Sequence, residues 1–199
     1  RVHELETYER DGFVCLESFV AADWLSRLNA AMERLIDESR TAAPGDWRFD
    51  PEPDHTADAP RLRRINTPVD LDPTFAEFAL DGPATDLAVD MLGPDVRFHH
   101  SKLNIKWSGG GEEVKWHQDI QFWPHTNYDL ITIGVYLEEV EEGQGEMGFI
   151  PKSQANELFD QYDESGERWT GYIKDQDLRR VDTDKAVFPT GGAGTVTIH

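Results

Sequence analysis

The chain has 199 residues, 38% of them hydrophobic, and a formal net charge of -20 at pH 7. That length and apolar content supply one sizeable core, so a single domain over 1–199 is expected. An acidic field of this size repels nucleic acid and anionic membranes, and the sequence offers neither an apolar run long enough to span a bilayer nor a basic-then-apolar leader.

Cys15 is the only cysteine, which excludes an intramolecular disulfide and favours a reducing, cytoplasmic setting. Because the sequence begins at Arg1 rather than methionine, it reads as part of a longer product. Asp and Glu are spread along the chain, so the charge describes a solvated surface rather than an acidic tail. The clustered cations stand out against that background: Arg61, Arg63 and Arg64; Lys102, Lys106 and Lys115; Arg179 and Arg180.

In chain order, the first strong signal is a helix over 24–36. Leu25, Leu28, Met32, Leu35 and Ile36 form one stripe, with Arg27, Glu33, Arg34 and Asp37 opposite. Residues 41–60, rich in Pro, Asp and Ala without periodicity, predict a surface loop or lid. Asp72-Pro73 and Asp81-Gly82-Pro83 predict two helix starts, and Gly93-Pro94 a stop. After Asp95 the pattern changes to strands, expected at 96–106, 114–123, 130–137, 147–150, 186–189 and 195–198. Residues 153–184, polar and charged, read as an insertion carrying a short helix over the mouth of a barrel. The expectation is a mainly β chain with supporting helices, a helical part over about 1–94 and a jelly-roll core over about 95–199.

The run Trp116-His117-Gln118-Asp119 carries the chemistry. On a strand, residues i and i+2 face the same way, so His117 and Asp119 can reach one ion. An imidazole and a carboxylate from one strand make two-thirds of the 2-His-1-carboxylate triad that holds ferrous iron with open positions. His-x-Asp alone is common by chance. On the strand before it, His100, Lys102, Asn104 and Lys106 share one face and Leu103 and Ile105 the other, as expected of a strand lining a polar cavity or facing solvent.

The segment from Leu92 through His99-His100-Ser101-Lys102-Leu103-Asn104, then Trp116-His117-Gln118-Asp119, then Gly143-Gln144-Gly145-Glu146-Met147-Gly148-Phe149-Ile150-Pro151, resembles the phytanoyl-CoA dioxygenase family of Fe(II)/2-oxoglutarate oxygenases. Asp11-Gly12-Phe13-Val14 before an amphipathic helix is similar to the opening of the same family. The resemblance covers about residues 8–199 and is most specific over 102–151. It implies a double-stranded β-helix (cupin-like jelly-roll) and a metal site at His117 and Asp119. The implied cofactors and co-substrates are Fe(II), 2-oxoglutarate and O2. It also implies 2-oxoglutarate contacts from Lys102, Asn104 and Gln118, with Arg64 as a further cation.

Trp123 resembles the family's substrate wall, although core packing accounts for it equally well. His125 is positioned either to bond substrate or to cap a turn. The family's third ligand, a histidine, and its 2-oxoglutarate-binding arginine are expected beyond His199, which leaves His199 a near neighbour of the metal and a minor candidate ligand. Two features bear on the detail. Pro151-Lys152-Ser153-Gln154 lacks the glycine and histidine usual in that turn. Asp119 retains the carboxylate that related halogenases replace, which favours hydroxylation.

The implied activity is hydroxylation of an unactivated carbon in a small-molecule metabolite. The rivals are a non-catalytic metal- or ligand-binding barrel, and an oxygenase that desaturates, epimerises or acts on an acyl-CoA. The acidic charge favours a small neutral, zwitterionic or cationic substrate. Nothing in the sequence bears on oligomeric state.

Overall fold

The protein is described by a computed structural model over residues 2–111, 113–123, 125–155 and 157–199. Six α-helices are present among these residues: α1 (Val2–Asp11), α2 (Ala22–Ser39), α3 (Pro68–Leu71), α4 (Pro73–Leu80), α5 (Pro83–Leu92) and α6 (Asp175–Leu178). The strands are β1 (Val14–Leu16), β2 (Phe49–Pro51), β3 (Leu62–Asn66), β4 (Lys102–Asn104), β5 (Ile133–Val135) and β6 (Val196–Ile198).

The strands form two antiparallel three-stranded sheets, ordered β1-β6-β5 and β2-β3-β4. Each sheet therefore draws on both sides of residue 94. β6 is the central strand of the first, and its Val196, Thr197 and Ile198 are at most 1% exposed. Gly134 on β5 makes that packing possible, since a Cβ there would lie 2.6 Å from Thr197 Oγ1.

Helix α2 packs the predicted stripe against this framework. Leu28, Ala31 and Leu35 are buried, and Leu25, Met32 and Ile36 pack partly buried beside them. The same core takes Leu62 and Ile65 from β3, Phe75 and Phe78 from α4, and Ile198 from β6. Each such side chain contributes roughly 1.5–3 kcal/mol by leaving water. Phe159, Ile173 and Val181, with Ile150 and Leu178 against them, form a second, smaller core drawn mostly from residues 153–184.

The helix starts at residues 73 and 83 lie where the Pro signals put them. Asp72 caps α4 by accepting the Thr74 N–H at 2.8 Å, and its other oxygen accepts from Arg34 at 2.6 Å. Asp72→Ala is expected to cost about 1–2 kcal/mol, the usual penalty for a lost N-cap, read as a lower urea midpoint at unchanged slope.

The expected mainly β composition requires correction, because 32% of the chain is helix and 13% strand. The predicted strand at 96–106 forms ladder pairs only over Lys102–Asn104, and 147–150 and 186–189 meet through one bridge, Phe149 to Val187. The segment 114–123 contains no strand. Gln118 is extended, and the chain then turns into a 3-10 helix at Asp119–Phe122. The loop expected at 41–60 contains β2, which pairs with β3 across a bulge at Asp50/Pro51. Among the described residues, no helix is long and apolar enough to cross a membrane.

Candidate metal centre

Gln118 has φ -120° and ψ 115°, so the backbone between His117 and Asp119 is extended. The two flanking side chains consequently leave on the same side even without a sheet ladder. His117 Nε2 lies 2.9 Å from Asp119 Oδ1. The other ring nitrogen, Nδ1, donates to the Lys115 carbonyl at 2.8 Å. This backbone bond fixes the ring orientation and directs Nε2 at the carboxylate, which is how a metal-ligating histidine is usually held from behind.

The second carboxylate oxygen is held separately. Thr132 Oγ1 donates to Asp119 Oδ2 at 2.7 Å, and His199 Nε2 lies 3.2 Å from the same atom. Both residues arrive through the first sheet, where Thr132 and His199 exchange backbone hydrogen bonds of 2.7 and 3.1 Å beyond the β5–β6 ladder. One oxygen thus faces His117 and the other is occupied by protein donors. Among the described residues, no group of three or more His, Cys, Asp or Glu side chains is arranged around a single ion. His199 reaches the far oxygen instead.

Electrostatics follow from these contacts. Burial pushes the Asp119 pKa up, but bonds from His117, His199 and Thr132 outweigh it and hold the group well below the usual carboxylate range. Burial alone would lower the His117 pKa, yet Asp119 and the Lys115 carbonyl raise it above its ordinary value. With Nδ1 donating to Lys115, a protonated His117 shares its Nε2 proton with Asp119. A cation would take the place of that proton, so a nitrogen and an oxygen donor already converge on one position. The donor set fits a first-row metal that accepts mixed N/O ligands.

The second sheet supplies the positive face. β3 and β4 place Arg64 opposite Asn104 and Asn66 opposite Lys102. Arg64 Nε donates to Asn104 Oδ1 at 3.1 Å. The Lys102 ammonium lies 5.9 Å from the centre of the Trp123 ring. Its pKa is lowered by desolvation and by Arg64, and Asp119 acts in the opposite direction. Arg64, Lys102 and Asn104 are thereby brought together. The β3–β4 register accounts for the place of Arg64 beside Asn104.

Trp123 collects an imidazole cluster, with His100 4.3 Å and His99 5.2 Å from it between ring centroids, and His99 lies 6.0 Å from His125. Pro124, between Trp123 and His125, lies outside the described residues. Phe122 packs edge-on to His117 at 5.3 Å and to Trp169 at 5.6 Å, bringing the insertion to the site. Sequence reasoning missed Thr132, Phe122, Trp169 and the participation of His99. Only the adjacent His99-His100 pair hinted at any of these.

Gln118, expected to reach the co-substrate beside the ligands, has its amide engaged by other partners in this structure. It donates to the Glu157 carbonyl at 2.9 Å and accepts from Phe159 N–H and Gln121 Nε2, each at 2.8 Å. Those bonds engage both ends of its amide.

The family model described as "Phytanoyl-CoA dioxygenase (PhyH)" matches residues 8–199. The chain belongs to the phytanoyl-CoA dioxygenase family. Among family relatives, it is 28% identical over 193 residues to a probable alpha-ketoglutarate-dependent hypophosphite dioxygenase of Stutzerimonas stutzeri, covering 96% of this chain and 67% of that protein. It is 25% identical over 208 residues to the ectoine dioxygenase of Sphingopyxis alaskensis, covering 96% of this chain and 65% of the relative. A crystal structure of EctD from S. alaskensis with 2-oxoglutarate and 5-hydroxyectoine matches with TM-score 0.78 and 26% identity, over 100% of this chain and 66% of that one. The carbocyclase SnoK shares the fold at TM-score 0.76 and 16% identity, over 100% of this chain and 74% of that one. The chain spans about two-thirds of the length of these two dioxygenase relatives.

Proposed function

We propose that this chain forms the core of a non-haem Fe(II)/2-oxoglutarate-dependent dioxygenase that hydroxylates a small metabolite. The observation that carries the reading is the convergence of His117 Nε2 and Asp119 Oδ1 at 2.9 Å, with His117 oriented from behind by Lys115. Family membership, and relatives described as hypophosphite and ectoine dioxygenases, support it. The barrel is read as a double-stranded β-helix and 1–199 as one oxygenase domain.

In this reading His117 and Asp119 Oδ1 hold the iron, and Thr132 and His199 fix Asp119 through Oδ2. Arg64, Lys102 and Asn104 form the positive and polar face that receives the 2-oxo acid. Trp123 and His125 line the substrate side, where the aromatic surface excludes water. When bound, iron with 2-oxoglutarate and O2 supplies the oxidising power for attack on an unactivated carbon. The chain's own work is to orient these groups and to keep Asp119 ionised. A cytoplasmic location belongs to the same proposal and rests on the single free cysteine, Cys15.

The test is anaerobic addition of 2-oxoglutarate to the Fe(II)-loaded protein, followed by O2 with ectoine or hypophosphite as trial substrates. A visible charge-transfer absorbance and substrate-stimulated succinate are expected. A protein that binds metal but never yields succinate would be the non-catalytic barrel.

Proton competition gives a further prediction. A metal must displace the His117 Nε2 proton, so apparent metal affinity should rise with pH and level off once the raised His117 pKa is passed. The His117–Asp119 contact stabilises the metal-free protein fully below the unfolded imidazole value, and that contribution is lost as pH rises through the folded value. The increase in Tm on adding Co(II) should therefore grow between about pH 6 and about pH 8. A metal-induced Tm shift that is flat across that interval would exclude His117 as the proton-releasing ligand.

A further inference from the structure

The metal-bearing segment lacks the usual support of a strand. Residues 113–118 belong to no strand, so no sheet ladder keeps His117 and Asp119 from drifting apart. Support comes instead from residues 157–173. The Gln118 amide donates to the Glu157 carbonyl and accepts from the Phe159 N–H, the donor–acceptor pair that a neighbouring strand would offer. Gln121 Nε2 binds the Phe159 carbonyl at 2.8 Å. Ile173 N–H donates to the Trp116 carbonyl at 2.8 Å, and the Lys115 ammonium sits 4.2 Å from the centre of the Tyr172 ring. At Gly171 a Cβ would come within 3.2 Å of the Phe122 ring, so the two segments are in close contact there.

We propose that Gln118 is a positioning residue: its amide clamps residues 157–173 onto the metal segment and thereby holds His117 and Asp119 converged. The inference rests on the metal reading of that pair and goes beyond it. The reason is mechanical. The extended backbone that directs both ligands inward directs Gln118 outward, and fixing the middle residue fixes the directions of its neighbours. Phe159 and Ile173, which carry the clamp's backbone contacts, are 5% exposed members of the second core, so the clamp is anchored to a packed unit rather than to a free loop.

The experiment titrates Co(II) into wild type, His117→Ala, Gln118→Leu and Gln118→Glu, and follows ligand-field absorbance, with hydrogen exchange at the Phe159 amide. Wild type should bind and His117→Ala should not. Gln118→Leu should bind about tenfold or more weakly, the scale of lost outer-shell support, with shifted ligand-field bands and faster exchange at Phe159. Gln118→Glu keeps the volume and the acceptor for Phe159 but loses the donor to Glu157. It should fall between the two and retain protection at Phe159.

A merely structural role would lower Tm and leave the affinity and bands of the folded protein unchanged, which would overturn the proposal while the metal reading stands. If Gln118→Leu does not fold, Gln118→Glu decides, and unchanged affinity there overturns it equally. Absence of Co(II) binding in wild type, or binding that survives His117→Ala, would remove the metal reading and the proposal together.

Discussion

Asp119→Ala is expected to reduce substrate-stimulated conversion of 2-oxoglutarate to succinate by about 10³-fold or more, equivalent to roughly 4 kcal/mol at 1.36 kcal/mol per decade. The carboxylate has three partners in the folded protein: His117 at Oδ1, and Thr132 and His199 at Oδ2. In the proposed reading, its removal takes away one donor to the metal and the negative charge that balances it, and also frees the imidazole that the pair keeps oriented. Asp119→Asn separates these effects, because it keeps shape and one acceptor oxygen but loses charge and turns the other oxygen into a donor. It should retain more of the fold than Asp119→Ala and recover little turnover. Near wild-type succinate formation by iron-loaded Asp119→Ala would show that the carboxylate is not a ligand.

Local signals in the sequence were legible and distant ones were not. The stripe Leu25 to Ile36 and the Pro-marked starts at 73 and 83 are set within one or two helical turns, and the helices form there. β1 and β2 are three residues each, too short for a period of two to be recognised, and β1 exists because of β6, whose residues lie 180 or more positions from their partners. The same contrast holds at the site. His117 and Asp119 are related by one extended residue and could be read directly. The His199–Asp119 contact spans 80 residues and the Arg64–Asn104 bond 40, and both depend on sheet register. Gln118 stands apart from the two residues that flank it. The alternation that sets its neighbours inward sets it outward, where it meets an insertion whose docking no local pattern announces.

Asn104→Leu is expected to weaken 2-oxoglutarate binding about tenfold or more while leaving metal affinity nearly unchanged. Asn104 stands across the ladder from Arg64 and accepts its Nε, and Lys102 lies two residues away on the same face, so two cations and one amide are presented together. A dianionic co-substrate needs such a patch in a chain whose net charge is -20. The substitution removes a hydrogen bond to a charged group, about 1.5–3 kcal/mol, and each 1.4 kcal/mol is roughly tenfold. It also releases Arg64 from the amide that aligns it. Leu103, partly buried against the core on the opposite face, provides the contrast. Leu103→Ala should cost about 2 kcal/mol of stability, the lower end for a truncated core leucine, with little change in co-substrate affinity in the folded protein. Titrating 2-oxoglutarate against the iron-loaded variants by charge-transfer absorbance distinguishes the two. Equal affinities in Asn104→Leu and wild type would detach this face from the co-substrate.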